Sequence, residues 1–153
     1  MKVSRIRFDT GQSATESHGQ GCRNLQKREQ FEEFKALLDL LIDDYNFQSA
    51  ELCNTRADFY RARGMIKKAY EDIYHALAIN PDLSVAIATL GEINELEGNI
   101  NRFYLNFRNA LENGLKVDAL RSVKGIYLKN EHDERMVELL RQYDIDFDMI
   151  RSL

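Results

Sequence analysis

The sequence repeats itself at an interval of 34 residues between about residue 50 and residue 117. The clearest match aligns Gly64 with Gly98. The other matches are Ile66 with Ile100, Tyr70 with Tyr104, and Ala76-Leu77 with Ala110-Leu111. Apolar residues recur every three or four positions in each unit, and a glycine separates two such stretches. A period of this length, made of two helices, is typical of helical repeat arrays, in which stacked helix pairs build one continuous core.

The apolar pattern predicts about seven helices and an all-α fold. They span about residues 29–45, 49–63, 66–79, 83–97, 100–113, 117–128 and 133–142, with one or two further turns within 144–153. Gly64, Gly98 and Gly114 are each expected to end a helix, as glycine often does. Asn80-Pro81 ends another, because the residue before proline avoids the helical region. Asp133 is predicted to be a helix N-cap.

The two central units resemble the tetratricopeptide repeat (TPR) family, whose pattern is W-x2-L-G-x2-Y, then A-x3-F, then P. In the first unit these positions hold Cys53, Arg56, Ala57, Tyr60, Ala69, Ile73, Ala76 and Pro81. In the second they hold Ile87, Leu90, Gly91, Asn94, Phe103, Phe107, Ala110 and Leu115. Phe103 at a small-residue position and Leu115 at the proline position depart from the family pattern.

The resemblance implies a right-handed α-α superhelix, a solenoid of TPR-like helical hairpins. We expect one helical domain over residues 25–153. It comprises a half repeat at 29–45, repeats at about 50–83 and 84–117, a degenerate repeat at 118–142 and a C-terminal cap at 143–153. Residues 1–24 lack helical periodicity and are rich in Gly, Ser, Thr and Gln, which predicts a flexible basic and polar arm.

No grouping of residues indicates catalysis. His18, His75 and His132 lie far apart, Cys22 and Cys53 form no CxxC pair, and no glycine-rich phosphate loop occurs. We therefore expect no enzyme activity, no cofactor and no metal. The cysteine usage favours a reducing compartment. No apolar run approaches the roughly 20 residues that span a bilayer, and no signal peptide is recognisable. These features predict a cytoplasmic protein without a membrane partner.

The family resemblance implies a binding surface rather than a reaction. In TPR proteins the first helix of each pair lines a concave groove that binds peptides or partner proteins. The corresponding residues here are Glu51, Asn54, Asp58, Arg61, Ala88, Thr89, Glu92, Glu95, Ser122 and Lys129. Asn54 and Asp58 stand where chaperone-binding members carry the lysine and asparagine that clamp a C-terminal carboxylate, and the charge of Asp58 argues against that ligand. An acidic groove predicts a basic protein or peptide as partner.

Charge distribution bears on the choice among functions. Residues 1–30 carry six basic and three acidic residues, whereas the remainder carries 15 basic and 22 acidic residues, for a net charge of −4. An acidic body repels phosphate backbones, so nucleic acid is disfavoured and an RNA-binding helical repeat is the third alternative. The leading hypothesis is an interaction module acting as an adaptor or as a regulatory or inhibitory partner. The second is a self-assembling scaffold, or a piece of a longer repeat array, because the half repeat leaves one end uncapped. The sequence leaves the oligomeric state open.

Overall fold

The computed structural model describes residues 27–121 and 124–153, and within these ranges the fold is all-α with no β-strand. The chain divides into two compact units, Met1–Asp39 and Leu40–Leu153. In the first unit the described residues form a helix, α1, over 27–39. The predicted arm at 1–24 lies outside the described residues.

The second unit opens with a π-helical turn, Leu40–Asp44, at the end of the predicted 29–45 helix. Its helices are α2 (Ala50–Ala62), α3 (Ile66–Ile79), α4 (Ser84–Leu96), α5 (Ile100–Glu112), α6 (Lys124–Leu128), α7 (Glu134–Gln142) and α8 (Phe147–Arg151). A 3₁₀ turn, Val117–Leu120, lies between α5 and α6. The helices predicted at 49–63, 66–79, 83–97, 100–113 and 133–142 are confirmed to within one residue at each end.

The helices α2–α3 and α4–α5 form two packed pairs that repeat at the interval seen in the sequence. Their turns close in the same way, because Gly64 and Gly98 adopt positive φ angles of 70° and 78°. After Gly64, the Met65 amide donates to the Tyr60 carbonyl at 2.9 Å, and the equivalent bond after Gly98 measures 2.8 Å. Left-handed backbone at this position suits glycine, which has no Cβ to clash. Helix α4 also packs against α2 and α3, so the two pairs stack.

Side-chain caps fix the starts of several helices. The Ser49 hydroxyl accepts a hydrogen bond from the Leu52 amide at the start of α2. The carboxylate of Asp133 accepts one from the Arg135 amide at the start of α7, so the predicted cap is confirmed. Such caps satisfy amides that have no partner within the first helical turn.

The single helix predicted over residues 117–128 is wrong. The chain instead forms the 3₁₀ turn Val117–Leu120 and the five-residue helix α6, and residues 122–123 between them lie outside the described part. The apolar spacing of Val117 and Leu120 is three residues, which suits a 3₁₀ turn as well as an α-helix. Gly125 further lowers the helix propensity of this segment.

An aromatic cluster anchors α6 to the second helix pair. Phe103, Phe107 and Tyr127 are fully buried, with ring centroids 4.6 Å apart for Phe107–Tyr127 and 5.6 Å apart for Phe103–Tyr127. The same core continues into α7 and α8 through Met136 and Ile150. This packing holds Tyr127 beside α4, where it contacts the site described below.

Candidate binding groove

A cavity of about 310 Å³ lies between α2, α4 and the segment 115–120. We call it the groove cavity; its lining residues are Asn54, Thr55, Asp58, Val85, Ala88, Thr89, Glu92, Leu115, Ala119 and Leu120. Five of them, namely Asn54, Asp58, Ala88, Thr89 and Glu92, were predicted from the sequence as groove residues. The structure therefore brings half of the predicted set together in one place.

Helical spacing explains why these side chains converge. Asn54 and Asp58 lie four residues apart on α2, so they share one face of that helix. Ala88 and Glu92 occupy the equivalent positions on α4, one repeat interval later. Because α2 and α4 pack against each other, the two faces border a common space, and the small Ala88 side chain keeps that space open.

Glu92 is the most buried charged group of the cavity, with 4% of its surface exposed. The Tyr127 hydroxyl donates to Glu92 Oε1 at 3.1 Å, and Arg61 Nε lies 3.6 Å from Oε2. Burial raises the pKa of the Glu92 carboxyl to about 7, although Arg61 and the Tyr127 hydrogen bond favour its charged form. The nearby Asp58 acts in the same direction as burial. Glu92 therefore changes its charge near neutral pH.

Arg61 links the two acidic residues of the cavity. Its Nε donates to Asp58 Oδ1 at 2.9 Å while also facing Glu92. One guanidinium is thus shared between two carboxylates, which leaves a net negative charge when Glu92 is ionised. The Asp58 side chain remains 39% exposed, so it is the acidic group that an incoming ligand meets first.

Of the other predicted groove residues, Glu51, Arg61, Glu95 and Lys129 do not line the cavity. Glu51 is exposed on α2, where its carboxylate accepts a hydrogen bond from the Ser49 hydroxyl at 3.0 Å. Glu95 is buried and forms an ion pair with Lys129 of the segment after α6. Ser122 lies outside the described residues. Packing of the α6 region thus pairs Glu95, and the acidic residues that line the cavity itself are Asp58 and Glu92.

Five lining residues were missed by the sequence prediction, and the repeat itself identifies three of them. Val85 and Ala119 stand one and two intervals after Glu51, and Thr55 stands one interval before Thr89. Leu115 and Leu120 have no such signal. Their position follows from the path of the chain into the 3₁₀ turn.

A buried ion pair between α2 and α3 was also missed. Arg56 and Asp72 are 7% and 5% exposed and form two hydrogen bonds, Nε–Oδ2 and Nη2–Oδ1, each of 2.8 Å. Asp43 of the π-helical turn accepts a third bond from Arg56 Nη1 at 2.7 Å. Burial raises the pKa of the neighbouring Cys53 thiol, so this thiol stays protonated at neutral pH. These contacts join three segments of the second unit and indicate a structural role.

Other kinds of site receive no support from the described residues. Among them, no group of three or more His, Cys, Asp and Glu residues is arranged to hold a metal ion. Within the same ranges, every helix is too short or too polar to cross a membrane. No protein-family model matches this chain, and no curated protein matches it significantly.

Proposed function

We propose that this protein is a TPR-like interaction module that binds a basic segment of a partner protein across the groove cavity. The observation that carries the proposal is a cavity at the junction of two stacked helix pairs with acidic side chains on both. Grooves between repeats present a continuous surface to an extended ligand, because each repeat contributes the same helix face.

The charges of the cavity favour a basic ligand. Asp58 and Glu92 share the single cation Arg61, and residues 31–153 carry an excess of acidic over basic residues. Complementary potentials steer an oppositely charged partner and select against acidic ones. A C-terminal carboxylate would face Asp58 and be repelled, so we propose an internal basic segment as the ligand.

The direct test is selection from a random peptide library displayed on phage, with the parent protein and an Asp58→Lys variant as baits. Asp58 is chosen because it is partly exposed, whereas a lysine at the buried Glu92 position would destabilise the fold. Glu51→Lys is the matched control, since it makes the same charge change on the same helix outside the cavity.

We expect the parent and Glu51→Lys to enrich peptides rich in lysine and arginine, and Asp58→Lys to lose them. Binding of the selected peptides should weaken as salt rises, because exposed charges are screened. Enrichment of neutral or acidic peptides, or of the same peptides by all three baits, contradicts the proposal. So does the absence of any enrichment by the parent.

Self-assembly is the second candidate, supported by apolar side chains on α1. Phe34 and Leu37 of this helix are 43% and 50% exposed. Exposed apolar surface is a common feature of interfaces between protein copies. Light scattering coupled to size exclusion tests it: a mass above 17.8 kDa that returns to the monomer value in Phe34→Ser/Leu37→Ser supports assembly. A monomeric parent at all concentrations contradicts it.

A further inference from the structure

The groove cavity is lined in part by polar side chains whose hydrogen-bond acceptors the described residues leave unused. Asn54 Oδ1 is buried and accepts no hydrogen bond from any described side chain or backbone group. A buried acceptor without a donor is costly to a folded protein unless a ligand or water supplies the donor. Asn54 lines the cavity, so a rotation of its side-chain amide would bring this oxygen to a ligand group bound there.

The carboxylates of the cavity also retain acceptor capacity. Both hydrogen bonds from Arg61 to Asp58 end on Oδ1, so Oδ2 accepts none from the described residues. Glu92 Oε1 accepts from Tyr127, whereas Oε2 lies 3.6 Å from Arg61 Nε, beyond hydrogen-bond distance. The polar lining therefore combines an amide oxygen, two carboxylate oxygens and a net negative charge, and it is complemented by donors that carry positive charge.

Apolar side chains also line the cavity. Val85 and Ala88 line it from α4, and Leu115 and Leu120 line it from the segment leading into and through the 3₁₀ turn. Lysine and arginine side chains suit such a mixed lining, because an apolar stem carries a cationic head. A volume of about 310 Å³ is at the small end of ligand cavities, which suits one long side chain rather than a large cofactor.

We propose that the groove cavity receives one lysine or arginine side chain of the partner. Its stem lies against Val85, Leu115 and Leu120, and its cationic head donates to Asn54, Asp58 and Glu92. This inference rests on the proposed function and assigns its main specificity to one position of the bound segment.

The proposal implies that binding depends on pH through Glu92. The charged groups that face Glu92 are Arg61 and Asp58 from α2, and Tyr127 donates to it from α6. A bound cation favours the ionised carboxylate, so affinity should rise as Glu92 loses its proton. A cation held only by long-range attraction to the acidic body would not depend on this one group.

The test uses two capped amino acids of the same shape, N-acetyl-arginine amide and N-acetyl-citrulline amide, titrated into the full chain and followed by ¹H–¹⁵N NMR. Citrulline replaces the guanidinium with a neutral urea group. We expect the arginine compound to bind at least about tenfold more tightly than the citrulline compound. Its affinity should increase between about pH 6 and about pH 8 in the parent, and Glu92→Gln should remove that increase.

Two further variants separate the cavity from general charge attraction. Asp58→Asn should weaken binding of the arginine compound about tenfold, whereas Glu51→Gln, on the same helix outside the cavity, should leave it unchanged within about twofold. Circular dichroism establishes that each variant is folded. Equal binding of the two compounds, or equal losses in Asp58→Asn and Glu51→Gln, overturns the assignment.

The outcomes also distinguish this inference from the proposed function. If library peptides bind at the groove but the arginine compound gains nothing over citrulline, the proposed function stands and the side-chain cavity is rejected. If neither basic peptides nor the arginine compound binds, both are rejected.

Discussion

The two repeated helix pairs have the same backbone plan but different interiors. The pair α2–α3 is held by the buried ion pair of Arg56 and Asp72, whereas the equivalent positions of α4–α5 are Leu90 and Asn106. The pair α4–α5 is instead filled by Phe103 and Phe107, whose first-pair equivalents are Ala69 and Ile73. The first pair therefore contains a buried ion pair that the second lacks, and the second has two aromatic rings on α5 where the first has smaller residues on α3.

The comparison shows that two helix pairs can share helix lengths and turn geometry while different residues fill their interiors. Both pairs keep the glycine turn and a small residue at the closest approach, Ala57 in the first and Gly91 in the second. Gly91 lets α5 approach α4 closely: a Cβ on Gly91 would lie 3.2 Å from Asn106 Cβ and 3.3 Å from the Phe103 carbonyl oxygen.

The largest predicted effect concerns the aromatic interior. Phe107→Ala should lower the free energy of unfolding by about 4 kcal/mol, because it leaves a cavity beside Tyr127 at the centre of the core. The equivalent change in the first pair, Ile73→Ala, removes fewer atoms and should cost about 3 kcal/mol. Urea unfolding followed by circular dichroism measures both. A smaller loss for Phe107→Ala than for Ile73→Ala would show that the aromatic cluster is not the main support of the second pair.

The next effect tests the ionic interior. Asp72→Asn should cost about 3 kcal/mol, since Arg56 stays buried while its main partner loses its charge. The double variant Arg56→Leu/Asp72→Asn gives the first pair the residues of the second pair, and it should recover most of that loss. Urea unfolding of Asp72→Asn, Arg56→Leu and the double variant gives the coupling energy between positions 56 and 72. If the double variant is as unstable as Asp72→Asn, the two interiors are not interchangeable.

A third prediction uses the acids at equivalent positions of α2 and α4. Because burial raises the pKa of Glu92 to about 7, the folded protein holds a proton there that the unfolded chain releases near pH 4.5. Glu92 therefore contributes most to stability below about pH 4.5. This contribution decreases by about 3 kcal/mol between about pH 4.5 and about pH 7 and stays low at higher pH. Glu92→Gln should remove this decrease, whereas Asp58→Asn should keep most of it, because burial is the largest cause of the raised Glu92 pKa and Asp58 adds to it. Free energies of unfolding measured across this pH range in the parent and both variants test this. If Glu92→Gln shows the same pH dependence as the parent, the prediction is wrong.

The smallest effect concerns the close approach at Gly91. Gly91→Ala should lower the unfolding free energy by about 1 kcal/mol, because crowding against Asn106 and Phe103 outweighs the gain in helix propensity. Gly125→Ala is the control, since among the described residues no atom beyond its own helix backbone and its chain neighbours lies within 4 Å of the added Cβ, and it should stabilise α6 by about 0.5 kcal/mol. Thermal unfolding measures both shifts. Stabilisation by Gly91→Ala would mean that the second pair has room for the same residue as the first.

The sequence predicted the repeated units because their signals are local. Apolar spacing, turn glycines and caps such as Asp133 act within a few residues, so the ends of α2, α3, α4, α5 and α7 followed from them. Pairing across helices is not local. Arg56 occupies a leucine position of the tetratricopeptide pattern that this unit resembles. No local feature of the sequence predicts that Asp72, 16 residues away, is its partner.

The sequence predicted the part of the candidate site that recurs at the 34-residue interval. Asn54, Asp58, Ala88 and Glu92 occupy equivalent positions on two helices, and applying the same interval to Glu51 also gives Val85. The apolar wall formed by Leu115 and Leu120 belongs to the segment where the regular pattern ends, so periodicity did not predict it. The burial of Glu92 likewise depends on α6, whose Tyr127 approaches from outside the repeated pairs.

The most direct test of the central claim is to map where a basic ligand binds. Amide and side-chain signals of the isotope-labelled full chain would be followed by NMR during titration with N-acetyl-arginine amide. We expect the largest shifts and the contacts to ligand protons to fall on Asn54, Asp58, Ala88 and Glu92, with the Asn54 side-chain amide among them. Shifts confined to α1 or to the faces of α3 and α5, with the groove cavity unaffected, would contradict it.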